Sequence, residues 1–320
     1  MTDDVLFLSG PQVTRLLDAD TAIASQRAAF TALGSGAADL PAKIMHPSRF
    51  DDSVVFAYVS RLSADSGAVA KFGSVNPGNA AAGLPTIHAV VSVLDPVTGR
   101  LAAVMDGAAV TTLRTAAASA VAVDALATPD STDLAVLGSG TQALAHVRAI
   151  ARVRSLTSVR LWSPTPRHRA RAAETLAELG FPAEAAGSAE EAVSGASLVA
   201  ACTLSTTPVV HGEWLAPGCT VVSVGSFEPT RREVDTDVLR RSAAVVVDDP
   251  TTAAEHAGPV VDALRTGLLT DLVGLGDVLT GRAVARTAHG DIVYYNSVGL
   301  GIQDAAAAWA VVRAAKGERR

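Results

Sequence analysis

Leu134-Ala135-Val136-Leu137-Gly138-Ser139-Gly140-Thr141-Gln142-Ala143 is the most informative stretch of this sequence. Its apolar start predicts a buried strand, the G-x-G-x-x-A pattern predicts a tight turn, and residues 142–153 are typical of a helix. The second glycine lets the backbone approach a pyrophosphate, and the small Ala143 lets the helix pack close to the strand. The helix N-terminus presents free N–H groups to phosphates. The stretch therefore predicts a dinucleotide site at Gly138, Ser139, Gly140, Thr141 and Gln142.

Strands and helices alternate after this turn. The sequence predicts strands at 159–162, 198–203, 220–224, 243–247 and 292–295, with helices at 167–179 and 304–315. Such alternation indicates a parallel sheet with helices on both faces.

The N-terminal part has a different pattern. Helical spacing over residues 1–35 is followed by strand-like runs at 54–58, 68–72 and 87–94 and by a small-residue helix at 111–127. Because no helical pattern separates the three runs, we expect a mixed or antiparallel sheet.

The composition is that of a folded chain. With 320 residues, 49% of them hydrophobic and 18% charged, the chain can bury a large core, and its length indicates about two domains. A net charge of −6 without a basic stripe predicts no nucleic-acid partner. Two cysteines, Cys202 and Cys219, are too few for a disulfide framework or a four-ligand zinc site, and we expect no metal.

The sequence predicts no membrane segment and no targeting segment. The N-terminus is acidic, and the longest uncharged stretch, residues 192–212, is rich in Ser, Thr and Gly and contains Pro208. We therefore expect a cytoplasmic protein without a membrane partner.

The end of the second strand bears on the choice of cofactor. A chain that prefers NAD usually has Asp or Glu about 20 residues after the glycine turn. Here the segment 161–167 reads Leu-Trp-Ser-Pro-Thr-Pro-Arg and has no carboxylate. Ser163, Thr165 and Arg167 offer hydroxyls and positive charge to a 2′-phosphate. We expect NADPH to be favoured and NADH to be possible. In the alternative interpretation, Arg167 and Arg169 are only the solvated first turn of a helix and do not bind the phosphate.

Several blocks, in this order along the chain, resemble the signature of the ornithine cyclodeaminase/mu-crystallin family. They are Lys71-Phe72-Gly73-Ser74-Val75-Asn76-Pro77-Gly78-Asn79, Gly83-Leu84-Pro85-Thr86, Met105-Asp106-Gly107, Leu113-Arg114-Thr115-Ala116-Ala117, the glycine turn, Gly212-Glu213-Trp214-Leu215-Ala216-Pro217-Gly218, Val224-Gly225 and Ser297-Val298-Gly299. The resemblance implies an α/β fold in which a Rossmann NAD(P)-binding domain, residues 126–298, is joined to an α+β substrate and dimerisation domain. The latter comprises residues 1–125 and the C-terminal helix, residues 299–320.

The same resemblance implies site residues and a homodimer. Lys71, Arg114 and Lys43 match residues that contact the substrate carboxylate. The matching cofactor contacts are Thr86, Arg114, Thr115, Thr203, Val224, Gly225, Arg231 and Ser297.

General chemistry supports this assignment, because a desolvated carboxylate needs paired cationic donors. Three other interpretations stay open from the sequence. Instead of binding a substrate, Lys71 would be an edge-strand lysine that points to water, Arg114 would form a salt bridge at a helix start, and Lys43 would be an exposed loop lysine.

The sequence departs from the cyclodeaminase pattern at Phe227. Cyclodeaminases of the family have an acidic residue at this position, shortly after Val224-Gly225, and a glutamate in the strand after Lys43. Neither carboxylate is found here, and Glu228 is one residue further along. A site that leaves an ammonium unpaired rejects it strongly.

We therefore expect an NAD(P)H-dependent oxidoreductase of the ketimine reductase type. Its substrate would be a small cyclic imino acid of proline metabolism, Δ1-pyrroline-2-carboxylate or Δ1-piperideine-2-carboxylate, reduced to L-proline or L-pipecolate. The alternatives are an ornithine cyclodeaminase, an amino-acid dehydrogenase similar to alanine dehydrogenase, and a non-catalytic binding protein of mu-crystallin type.

Overall fold

The computed structural model describes residues 5–317, which form two compact units. One unit comprises the chain up to Arg114 together with the segment from Leu300 onward, and the other is Thr115–Gly299. The first boundary lies within the helix Gly107–Leu126 rather than after residue 125. The domain boundaries expected from the sequence stay a prediction.

The first unit is built on a six-stranded sheet, in the order β1-β6-β5-β4-β3-β2. All neighbours are antiparallel except β1 and β6, which are parallel. Its elements before the boundary are β1 (Leu6–Leu8), α1 (Gly10–Leu16), α2 (Ala19–Gly34), β2 (Ile44–Pro47), β3 (Val54–Ser60), β4 (Val69–Val75), β5 (Ile87–Leu94), β6 (Leu101–Asp106) and the first part of α3 (Gly107–Leu126).

The N-terminal segment is not one helix, as its spacing suggested, but β1 followed by two helices. The break lies at Asp18, whose side chain accepts a hydrogen bond of 2.8 Å from the Thr21 N–H. An aspartate in this position satisfies a free donor at a helix N-terminus. It therefore starts α2 and separates it from α1.

The second unit contains an eight-stranded sheet, in the order β13-β12-β14-β11-β10-β7-β8-β9, in which every pair is parallel. Its elements are β7 (Asp133–Leu137), α4 (Thr141–Ile150), β8 (Ser158–Trp162), α5 (Pro166–Glu178), β9 (Ala183–Ala185), α6 (Ala189–Val193), β10 (Leu198–Ala201), β11 (Thr220–Ser223), α7 (Thr236–Arg241), β12 (Ser242–Val247), α8 (Pro250–His256), α9 (Gly258–Arg265), β13 (Val273–Gly274), α10 (Leu275–Leu279) and β14 (Ile292–Asn296).

The strand order of the second unit is that of a Rossmann sheet. Starting from β9, the neighbours are the third, second, first, fourth and fifth strands of this unit. The order reverses between β7 and β10, and ligands of such sheets bind at this switch point, outside the carboxyl ends of the strands. The predicted fold class, α/β with a Rossmann domain and a second α+β domain, is confirmed.

The last helix, α11 (Gly301–Ala315), belongs to the first unit, where it packs against α2 and on β3, β4 and β5. The Trp309 indole donates a hydrogen bond of 3.0 Å to the Gly67 carbonyl. One face of this sheet is therefore buried. The other face exposes apolar side chains, with Ile44 62%, Phe72 57% and Val59 48% accessible.

Within the described residues, α3 has the length and apolar composition of a helix that could cross a membrane. However, 67% of its most apolar window is buried inside the protein. Buried core helices share both properties, so this feature is weak support for a membrane span.

Candidate active site

The glycine turn after β7 has the geometry that its sequence predicts. Gly138 has a φ of +125°, and a Cβ there would lie 2.6 Å from the carbonyl oxygen of Cys202. Its N–H donates a hydrogen bond of 2.7 Å to the Trp162 carbonyl at the end of β8. Only glycine fits this conformation and this approach. The turn therefore holds the ends of β7, β8 and β10 close together.

The N-terminus of α4 follows directly. Gly140 is the N-cap residue, and a Cβ on it would meet no atom of the described residues within 4 Å. Ala143 is buried, as predicted for close packing of the helix on the strand. The space beside Gly140 at this helix N-terminus is therefore open, which fits the close approach of a pyrophosphate.

The end of β8 carries an unsatisfied hydroxyl. Ser163 is 6% exposed, and its Oγ has no hydrogen-bond partner within residues 5–317. Arg169 donates a hydrogen bond of 3.1 Å to the Ser163 carbonyl, and Thr165 and Arg167 are exposed at the start of α5. A buried polar atom without a partner is costly. The residues therefore fit the adenosine half of a dinucleotide, which would give the Ser163 hydroxyl a partner.

Four predicted cofactor residues, Thr203, Val224, Gly225 and Ser297, lie at the ends of β10, β11 and β14. Thr203 and Gly225 both donate to the Glu233 carboxylate, and Ser297 donates a hydrogen bond of 3.0 Å to Asp248. Val224, between β11 and Gly225, donates its N–H to the Ala201 carbonyl at 3.1 Å. The structure thus brings these loops together around two buried carboxylates.

Lys71 lies in the interior of the first unit's sheet. Strand β4 is flanked by β3 and β5, and Lys71 is 3% exposed. Its Nζ is 2.8 Å from the Asp304 carboxylate and 3.4 Å from the Thr111 hydroxyl. The interpretation of Lys71 as an edge-strand lysine that points to water is therefore wrong.

Arg114 shares the same carboxylate. Its Nε is 3.2 Å from Asp304, and its NH1 donates a hydrogen bond of 3.3 Å to the Gln303 side chain. Lys71, Arg114 and Asp304 are at most 5% exposed. Two buried cations therefore share one buried carboxylate, which leaves this group of three side chains with one positive charge in excess.

Lys43 completes the group of cations that the sequence predicted. The Tyr58 ring lies 4.6 Å from the Lys71 Nζ and 5.8 Å from the Lys43 Nζ. Burial lowers the pKa of Lys71 to about 8; Arg114 and Lys43 act in the same direction, and Asp304 opposes them. The structure thus brings Lys43, Lys71 and Arg114 together, and Lys43 is half-buried rather than exposed.

Thr86 and Thr115 are two further residues that the sequence predicted as cofactor contacts. The carbonyl of Thr86, just before β5, accepts a hydrogen bond of 2.7 Å from the Asn76 N–H. Thr115 is buried in α3. Their expected role as cofactor contacts stays a prediction.

Comparisons with known proteins agree with this architecture. The sequence matches the ornithine cyclodeaminase/mu-crystallin family over residues 4–319. It is 35% identical to the ketimine reductase mu-crystallin of Mus musculus over 233 residues, which are 72% of this chain and 71% of the mouse protein. The chain belongs to the ornithine cyclodeaminase/mu-crystallin family.

Two solved structures of similar proteins have the same fold. One is the Δ1-pyrroline-2-carboxylate reductase of Thermococcus litoralis in complex with NADH and L-proline, with a TM-score of 0.93, 28% identity and 98% coverage of both chains. The other is an archaeal alanine dehydrogenase dimer with bound NAD, with a TM-score of 0.92 and 30% identity, covering 98% of this chain and 97% of that chain.

The position at which cyclodeaminases of the family carry an acidic residue is occupied by Phe227. The Arg231 guanidinium lies 5.0 Å from the centroid of its ring. Arg231 also bonds to Glu228 at 3.0 Å and to the Leu204 carbonyl at 3.1 Å. Glu228 is therefore already paired with an arginine on its own loop.

Sequence reasoning missed Asp304, Glu233 and Asp248. Asp304 is the one acidic residue of α11, in the apolar run Gly-Ile-Gln-Asp-Ala-Ala-Ala-Ala-Trp, and a lone carboxylate in such a helix was an available signal. Asp248 directly follows the apolar end of β12. We find no comparable signal for Glu233. Within residues 5–317, no three His, Cys, Asp or Glu side chains are grouped so that they could hold a metal ion.

Proposed function

We propose that the protein is an NAD(P)H-dependent reductase of a small cyclic imino acid, such as Δ1-pyrroline-2-carboxylate or Δ1-piperideine-2-carboxylate. The observation that carries this proposal is the excess positive charge of the buried Lys71, Arg114 and Asp304 side chains. A buried net charge is costly unless a counter-ion is bound. The carboxylate of an imino acid supplies that counter-ion.

The chain's residues have separate tasks in this proposal. Lys71, Arg114 and Lys43 bind the substrate carboxylate and orient the ring. The turn at Gly138–Gln142, together with Ser163, Thr165 and Arg167, holds the dinucleotide. When bound, the reduced nicotinamide supplies the hydride that turns the imine carbon into an amine carbon. The proton that the ring nitrogen needs comes from a lysine or a bound water.

The finer features of the proposal rest on two grounds: the segment 161–167 has no carboxylate and favours NADPH, and the family resemblance implies the product and a homodimer. We expect NADPH to be preferred over NADH, L-proline or L-pipecolate to be the product, and a cytoplasmic homodimer to be the working form. The archaeal alanine dehydrogenase of the same fold is described as a dimer.

Phe227 disfavours the alternative function as an ornithine cyclodeaminase. An ornithine ammonium needs a carboxylate partner, and the adjacent Glu228 is bonded to Arg231. An unpaired buried ammonium costs several kcal/mol, whereas a neutral ring gains from contact with an aromatic side chain. An aromatic ring recovers at best about 2 kcal/mol through a cation–π contact.

The test combines two assays on the native protein. With NADPH and Δ1-pyrroline-2-carboxylate, we expect the absorbance of the reduced cofactor to fall and L-proline to form. With L-ornithine and NAD, we expect no ammonia. Steady ammonia release from ornithine would make the protein a cyclodeaminase, and oxidation of L-alanine alone would make it an amino-acid dehydrogenase. Binding of NADPH without turnover of any of these substrates would favour a mu-crystallin-type binding protein.

A further inference from the structure

Glu233 is a buried carboxylate that the proposed function does not use. It follows β11 in the second unit and is 0% exposed. One of its oxygens accepts hydrogen bonds from the backbone N–H and the hydroxyl of Thr203. The other accepts 2.7 Å hydrogen bonds from the Ser223 hydroxyl and the Gly225 N–H. One side chain thus joins the loop after β10 to the loop after β11.

The two loops are in close contact at this point. A Cβ on Gly225 would lie 1.7 Å from the Thr203 carbonyl oxygen and 2.7 Å from a Glu233 oxygen. The backbone N–H of Glu233 donates a hydrogen bond of 2.9 Å to the Ser226 hydroxyl, which fixes its own segment to the second loop. The position of either loop therefore depends on the Glu233 side chain.

A carboxylate in this place has an energetic cost that its donors offset. Burial raises the pKa of Glu233 to about 7, while hydrogen bonds from Ser223, Thr203 and Gly225 lower it. A glutamine side chain has the same shape but offers only one acceptor oxygen, and its N–H₂ group would face the remaining donors. The site is thus built for a group that only accepts hydrogen bonds.

The strand order indicates which part of the cofactor these loops serve. The turn after β7 would hold the pyrophosphate, and β8, on one side of β7, ends at the predicted ribose site. Strands β10 and β11 lie on the other side of β7. The loops that follow them therefore lie on the side of the nicotinamide half.

We propose that Glu233 is a positioning residue that fixes the loops after β10 and β11 and thereby sets the affinity for the nicotinamide end of the cofactor. This inference rests on the proposed function, because it requires that the second unit bind a nicotinamide dinucleotide. Glu233 should therefore affect the binding of the nicotinamide half of the cofactor and not that of the adenosine half.

The test measures dissociation constants by fluorescence or calorimetric titration of the full-length protein, without substrate. The probes are NADPH and adenosine 2′,5′-bisphosphate, which lacks the nicotinamide half. For Glu233→Gln we expect the Kd of NADPH to rise about tenfold, the scale of one lost buried hydrogen bond to a charged group, and the Kd of the bisphosphate to change less than about twofold.

Two further variants make the result decisive. Ser223→Ala removes one donor to Glu233 and should weaken NADPH binding in the same direction but less, which also provides an answer if Glu233→Gln does not fold. Glu191→Gln is the matched control, since Glu191 is an exposed glutamate of the same unit that accepts one backbone N–H, from Gly187.

The possible outcomes separate the inference from the proposed function. Equal weakening of NADPH and the bisphosphate, or no change in either, would overturn the role of Glu233. A native protein that binds neither NADPH nor NADH would overturn the proposed function and this inference with it. Selective loss of NADPH affinity in both variants, with Glu191→Gln unchanged, is the supporting result.

Discussion

Lys71 and Arg114 are the residues on which the proposed function of the first unit depends. Both contact Asp304, at 2.8 Å and 3.2 Å, and all three are buried. Removal of one member of a buried charged group leaves the others without full compensation. Asp304 therefore stabilises the two cations, and in the proposed function the substrate carboxylate would add the second negative charge.

We expect Lys71→Ala to lower kcat/KM for the imino acid by about 100-fold, or about 2.7 kcal/mol, because a charged hydrogen bond to the substrate carboxylate is lost. The Kd of NADPH should be unchanged. Steady-state kinetics and a binding titration measure the two effects, with the exposed Lys316→Ala as control. Turnover near that of the native protein would show that Lys71 does not anchor the substrate.

Ser163 is the residue at which the choice of cofactor can be changed. We expect the native protein to prefer NADPH over NADH by roughly 1–3 kcal/mol in kcat/KM, the scale of hydrogen bonds to charged groups. Ser163→Asp should reverse the order, because a carboxylate repels the 2′-phosphate and accepts from the 2′-hydroxyl. Ser194→Asp adds the same charge before β10, near the amino ends of the parallel strands rather than their carboxyl ends, and should leave the order unchanged. Equal kcat/KM of the native protein for both cofactors would contradict the prediction.

At the scale of elements, six of the eight strands of the second unit were predictable from the sequence, whereas β9, β13 and the helices α6 to α10 were missed. Its strands are short apolar runs bounded by turn residues, so the runs at 159–162 and 243–247 lie within a residue of β8 and β12. The break between α1 and α2 was missed, because the apolar spacing continues across Asp18 and only the hydrogen bond to Thr21 marks the new helix start.

The site was less predictable than the fold for a physical reason. Arg114 and Asp304 are separated by 190 positions in sequence, and no local spacing relates them. Glu233 is likewise 30 positions from Thr203. Motifs predicted the residues that we expect to face ligands. A lone carboxylate in an apolar helix was a signal for Asp304, but its pairing with Arg114, and that of Glu233 with Thr203, could be identified only from the structure.

His146 joins α3 to α4 and makes this contact depend on pH. Its ring nitrogens lie 2.9 Å from the Ser119 hydroxyl and 2.7 Å from the Gln142 carbonyl oxygen. Burial lowers its pKa from 6.5 to about 4. Between these values the unfolded chain binds a proton that the folded chain does not. The stability that His146 contributes is therefore present above pH 6.5 and is lost as the pH falls towards 4.

We expect this linkage to lower the free energy of unfolding by up to about 3 kcal/mol across that range. Urea unfolding at a series of pH values measures the slope, which should be shallower in His146→Gln. The control is His168→Gln, which changes an exposed histidine of α5. Equal slopes in native protein and His146→Gln would mean that other groups cause the acid sensitivity.

At the scale of the whole molecule, the exposed sheet face predicts self-association. Phe72 is 57% exposed on β4, beside Val90, 38% exposed on β5, on the face opposite Lys71. An apolar face of this kind marks an interaction surface, and we expect a second copy of the chain to cover it.

If the native protein is the expected dimer, Phe72→Glu should convert it to monomers, because the dimer would bury a charge without a partner. Light scattering after size exclusion gives the mass of each form. Val97→Glu places the same charge on a residue that is 90% exposed in the turn between β5 and β6, and it should leave the dimer intact. A monomeric native protein at micromolar concentration would show that this face has another role.

The position of Asp304 in α11 has a consequence for biosynthesis. Lys71 and Arg114 leave the ribosome long before the carboxylate that they share, and at about 5–20 residues per second the delay is on the order of 10–40 seconds. Thr115–Gly299, by contrast, is one continuous segment that is complete by then. During translation, the cations therefore remain hydrated while the Rossmann unit folds, and the final helix closes the first unit. Chains that end before Gly301 and are released from the ribosome should show a protease-resistant second unit and a sensitive first one.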